Sequence, residues 1–179
     1  MTHRFFTDAE YDLVTRIADR LLPPLGEFPG AGGCGAAAYI DNTLAAFTFD
    51  PPRVWAGGPF SGRHGGTPSF NNFTPLSRIE ALAWKTRIEG SQGLVEREWN
   101  GPVRGWQEIY REGLASLDDD PSAIDNAPEL RGLLFEHACE ATYGAPEYGG
   151  NHNLAGWTAI GYHGDVQPRG WTDDEVANP

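Results

Sequence analysis

Apolar residues recur at intervals of three and four along separate segments of this chain, and nowhere do they alternate over a strand's length. That pattern marks amphipathic helices and leaves no half-buried strand. The cleanest case is Trp106, Ile109, Tyr110, Gly113, Leu114 and Leu117, which keeps strict helical spacing. The expected fold is therefore mainly α: an irregular small helical domain of about five helices, with long loops rich in Gly, Pro and aromatics. The 179 residues suit one domain, and we read 1–179 as a single unit.

Each helix carries its own start and stop signals. The first opens with Thr7 and Glu10 at capping-box spacing, after Phe5 or Phe6 as a hydrophobic staple. Val14, Ile17, Ala18 and Leu21 form its apolar face, and Pro23 and Pro24 stop it. A second helix is expected over Ala36 to Phe47, with Tyr39, Ile40, Leu44 and Phe47 on one side. Ser77 and Glu80 repeat the capping box before a third, whose face is read as Ile79, Leu82, Ala83 and Thr86, ending near Gly90. The Trp106 helix is the fourth. The fifth begins at Asn126, takes Pro128 into its first turn and buries Leu130, Leu133, Leu134, Ala138 and Ala141. His137 falls on that same face, and Gly144 and Pro146 end it. One short helix is expected around Leu154 to Ile160.

The loops are unusual. Gly26 to Gly35 contains Gly30, Gly32, Gly33 and Gly35, but no strand precedes it and no G-K-[ST] closes it. A phosphate cradle needs that context, so an ordinary loop is expected. An extended insertion, 53–74, carries Trp55, Phe60, Phe70 and Phe73 among glycines. Rings on irregular backbone need a surface to pack on, and aromatics are enriched at interface cores. An irregular segment, 144–179, holds Glu147, Tyr148, Gly149, Gly150, Asn151, Trp157, Tyr162 and Trp171. We read these twelve residues of the two segments as a partner interface, because large rings with a polar end dominate binding hot spots. The acidic run Asp118 to Asp120 lacks the alternation of a calcium loop and reads as a solvated turn.

Several function classes are disfavoured. A formal charge of −12 opposes nucleic acid and anionic membrane surfaces, since both need clustered Lys and Arg. No window is long and apolar enough for direct membrane insertion. No signal peptide or twin-arginine pair is visible, so the chain is expected in the cytoplasm as written, or in the periplasm if a partner carries it. Cys34 and Cys139 read as free thiols. The residues with chemistry are His137, Cys139, Glu140, Glu147 and His152, but metal-ligand spacing and nucleophile motifs are missing. We expect no catalytic, metal or cofactor residue in the chain. The alternative is a metal-dependent enzyme using His137, Glu140, Glu147 and His152.

Pro146 to Asn151, followed by Gly156-Trp157 and Ile160-Gly161-Tyr162, resembles the signature of the gluconate 2-dehydrogenase subunit 3 family. Phe5-Phe6-Thr7 with Leu22-Pro23 resembles the family's opening. Tyr110 with Gly113-Leu114 and Leu117-Asp118 resembles its mid-chain helix, and His137 with Glu140 and Tyr143 the helix before the signature. Pro168 to Thr172 resembles its close, with Trp171 in place of Tyr. The resemblance implies a small, cofactor-free gamma subunit. It would support the folding and stability of a large FAD-dependent dehydrogenase of the glucose-methanol-choline (GMC) type, acting on a sugar, sugar acid or glycoside. In some complexes a c-type cytochrome is a third subunit. A transient chaperone for the flavoprotein is the variant of that reading. The family's usual twin-arginine signal is not seen here.

Overall fold

The computed structural model describes residues 3–57 and 73–162 of the chain. Its elements are α1 (Asp8–Leu21), α2 (Gly30–Gly33), α3 (Ala36–Leu44), α4 (Arg78–Glu89), α5 (Trp106–Ala115), α6 (Pro128–Tyr143) and α7 (Ala155–Ala159), with short 3₁₀ turns between several of them. Among the described residues there are only isolated β-bridges and no strand. The mainly helical expectation holds.

α6 is the centre of the fold. It packs against α1, α2, α3, α5 and α7. The core lies where these helices meet, with Val14 and Ile17 from α1, Ile40 and Leu44 from α3, Tyr110 from α5 and Leu134 from α6 fully or almost fully buried. Apolar faces at helical spacing place these side chains together, and each large side chain removed from water contributes ~1.5–3 kcal/mol. A smaller cluster, Ala46, Val54 and Ile88, sits beside it, and Trp106 packs against both.

The caps form as the spacing requires. Thr7 Oγ1 accepts from Glu10 N at 3.2 Å while Thr7 N donates to Glu10 Oε2 at 2.7 Å. Ser77 and Glu80 do the same at 3.3 and 2.7 Å. The N-terminal segment is then pinned across the fold. Buried Asp41 on α3 accepts from the backbone N–H groups of Arg4, Phe5 and Phe6, each at 2.9 Å. Asp41→Ala removes the acceptor of all three N–H groups at once. It is expected to lower stability by about 2 kcal/mol, read as an earlier urea midpoint with an unchanged slope.

Four local expectations are corrected. The glycine-rich loop contains a helix, α2, because Asp19 of α1 accepts from Gly32 N at 2.8 Å and holds the turn against α1. The second helix ends at Leu44 and continues only as a 3₁₀ turn over Ala46–Thr48. The buried face of α4 differs from the expected one: Ile79 is 80% exposed and Ala83 is exposed, while Ile88 is fully buried. Trp84 packs toward the same cluster as Ile88, so tertiary packing rather than the two best-spaced aliphatics sets that helix's rotation. α6 begins at Pro128 and not at Asn126, because a 3₁₀ turn, Pro121–Asn126, precedes it, capped by Asp120, whose carboxylate accepts from Ser122 N at 2.8 Å. Its neighbour Asp119 pairs with Arg16. The acidic run itself is exposed turn, as expected, and is tied to α1.

Candidate functional site

The segment that follows α6 finishes that helix. An α-helix ends with carbonyls that have no partner inside the helix. Here Ala141 O accepts from Asn151 N at 2.5 Å, and Tyr143 O accepts from Trp157 Nε1 at 2.7 Å. Gly144 O accepts from Asn151 Nδ2 at 3.1 Å, and Asn151 Oδ1 in turn accepts from Gly156 N at 3.0 Å. His152 N donates to Cys34 O at 3.1 Å, which ties the same loop to the start of α3. The loop can approach this closely because two positions lack a side chain. A Cβ on Gly150 would overlap the Ala141 carbonyl, and one on Gly156 would overlap that of Thr142. The backbone is wound tightly, with positive φ at Asn151, Asn153 and Leu154, where non-glycine residues are uncommon.

This geometry changes the role of part of the expected interface. Gly150, Asn151 and Trp157 are buried in the chain's own structure, Trp157 to 5% exposure. They build the loop and are not offered to a partner in this conformation. Their burial follows from the helix end they satisfy, a partner that spacing rules on the loop itself do not reveal. Tyr162 remains 45% exposed, its ring edge-on to Trp157 at 4.8 Å. Tyr148, Trp55 and Phe73 come together: Trp55 stacks on Phe73 at 4.0 Å, and Tyr148 meets both at 5.8 and 5.4 Å. The two expected docking segments therefore touch, through residues distant in sequence. Glu147 and Gly149 line a small cavity beside this trio. Phe60, Phe70 and Trp171 lie outside the described residues.

On the other side of the loop is a groove of about 840 Å³. Leu25, Phe28, Tyr143, Ala155, Ala159 and Ile160 form much of it. A tight turn displays Leu25: Leu25 and Phe28 exchange both backbone hydrogen bonds at 3.0 Å, and Leu25 is 81% exposed. Ile160 is 59% and Tyr143 38% exposed. Exposed apolar side chains gathered on one groove make it a candidate interaction surface. Leu25 and Tyr143 were missed in the sequence; the available signal was a leucine placed in a Pro-Pro-Leu-Gly loop with no helix face to join.

The His137 region forms a separate cleft. Tyr110 OH lies 3.0 Å from His137 Nδ1, both side chains buried. A phenol can donate or accept, so the pair forms with either tautomer of the imidazole, and Nε2 is buried with no partner among the described residues. Burial pushes the His137 pKa down to about 4. The unfolded chain therefore takes up a proton near pH 6.5 before the folded chain does. Stability from this site is complete above pH 6.5 and is lost as pH falls from 6.5 to about 4, by about 3 kcal/mol. Thermal melts of the native chain and of His137→Phe across that window check it: the slope attributable to His137 disappears in the variant. Tyr39 OH donates to Glu140 Oε2 at 2.9 Å, and burial with Glu140 alongside raises the Tyr39 pKa.

The four residues of the metal-enzyme alternative are not gathered. His137 and Glu140 line the cleft, while His152 lies against Gly35 and Glu147 lines the smaller cavity. Among the described residues no group of three His, Cys, Asp or Glu could hold a metal ion. Cys34 and Cys139 are free. Also among the described residues, no helix is long and apolar enough to cross a membrane.

A family model described as gluconate 2-dehydrogenase subunit 3 matches residues 8–164. The match spans the capped first helix, the α6 centre and the whole loop that finishes it, and the chain belongs to this family. That membership makes it an auxiliary subunit of a dehydrogenase complex. No curated protein and no solved structure matches the chain.

Proposed function

We propose that the chain is the non-catalytic small subunit of a large FAD-dependent dehydrogenase of the GMC type, which oxidises a sugar, sugar acid or glycoside, and that it docks through the Leu25–Ile160 groove. The observation that carries the docking surface is that groove: an apolar surface rigidly shaped by the family's characteristic loop yet left exposed. Leu25 and Ile160 would seat an apolar ridge of the flavoprotein, with Tyr143 and Tyr162 supplying rings whose hydroxyls stay at the rim. The FAD and the reacting groups belong to the partner, and a c-type cytochrome would join as a third subunit where the complex has one. The chain's compartment is then the flavoprotein's own.

The test is purification of the tagged chain from its native host. A yellow complex, with flavin absorption bands and a dehydrogenase subunit that stays bound through size exclusion, is the expected result. A flavoprotein that is active and stable after shedding this chain would instead assign a transient chaperone. A colourless chain that captures no flavoprotein at all contradicts the proposal.

A further inference from the structure

The cleft over His137 is distinct from the docking groove. It holds about 520 Å³ between α3, α4, α5 and α6, within the ~300–1,000 Å³ range of small-molecule sites. One wall is Trp84 and Trp106, edge to face at 6.1 Å, with the Arg87 guanidinium 5.3 and 5.7 Å from their ring centroids. The facing wall includes Tyr39, Trp55 and Tyr148. Glu136 and Glu140 line it one turn apart on α6, with His137 between them in sequence.

The chemistry of this lining narrows the ligand. Arg53 and Arg87 balance Glu136 and Glu140, so a net charge gains no overall attraction. A purely apolar ligand would cover the exposed Arg87 and Glu136 charges without giving them partners, which is costly. A hydroxyl can do both jobs: it donates to a carboxylate and accepts from a guanidinium. The C–H face of a saturated ring packs on an indole.

We propose that this cleft binds a neutral, ring-shaped polyhydroxyl compound, of mono- or disaccharide size, with the exposed Arg87, Glu136 and Glu140 as its polar partners and the Trp84 and Trp106 rings as the stacking wall. The site belongs to the free chain and does not depend on the docking proposal.

The experiment uses the full isolated chain. D-glucose, maltose and myo-inositol are titrated by tryptophan fluorescence and saturation-transfer NMR, with tetramethylammonium and benzoate in parallel. The expected result is saturable binding of at least one of the three polyols with a Kd of about 1 mM or tighter, with saturation reaching its ring protons. Arg87→Ala and Glu136→Ala alter exposed lining residues, so both should melt like the native chain and bind at least about tenfold more weakly, a loss of ~1.4 kcal/mol. Absence of saturable binding by all three polyols overturns the proposal. So does binding of only the cation or only the anion, or unchanged affinity in both variants.

Discussion

Trp157→Ala is expected to destabilise the free chain by about 4 kcal/mol, within the range for truncating a buried aromatic. The side chain is 5% exposed, and its indole N–H satisfies the Tyr143 carbonyl at the end of α6. Truncation therefore opens a cavity and leaves that carbonyl without its donor. For a domain of this size the melting temperature should fall by roughly 10 °C. Urea and thermal unfolding of the chain alone measure it. Tyr162→Ala is the control, because that ring is 45% exposed and its loss should be mild. An unchanged melt in Trp157→Ala, with assembly lost, would return Trp157 to the role of partner anchor.

The second large effect is expected on assembly and not on folding. Leu25→Asp combined with Ile160→Asp places two carboxylates in the groove, at positions 81% and 59% exposed in the free chain. Both side chains are exposed, and at Ile160, the C-cap of α7, the capping contact is made by the backbone N–H, so the variant should fold and melt within about 1 kcal/mol of the native chain. Docking would then bury two unpaired charges where two apolar anchors sat. The expected loss of affinity for the dehydrogenase subunit is about 4 kcal/mol, or roughly a thousandfold. Titration of the flavoprotein with native and variant chain reads it directly.

How legible the protein was differs between its parts. Helix starts could be read because their signals are local: Thr7 with Glu10 and Ser77 with Glu80 form the boxes that their spacing implies. The buried position of His137 followed from its place among Leu130, Leu134 and Ala138. The rotation of α4 could not be read, since Ile88 is buried and Trp84 half-buried against α5 and the segment around Val54, elements distant in sequence. α2 escaped because four residues, three of them glycine, have poor helix propensity, and a carboxylate from α1 stabilises the turn. The aromatic, glycine-permissive stretch after Pro146 was visible as special. Its division into inner and outer surfaces was not. Gly150, Asn151, Gly156 and Trp157 face the carbonyl end of α6, while Tyr148, Ile160 and Tyr162 are exposed. Trp157 on the inside and Tyr162 on the outside are both large rings with a polar end, and only the path of the backbone separates them.

The central claim is that the groove shaped by this loop is where the dehydrogenase subunit sits. Hydrogen exchange of the chain, free and in the purified complex, tests it most directly. The chain offers its own internal comparison, because a second exposed apolar patch lies between α4 and α5, where Val95 is 86% and Trp99 93% exposed. New protection is expected in peptides covering 22–28 and 153–162, with 94–103 unchanged. Protection confined to 94–103, with the groove exchanging as in the free chain, would contradict it.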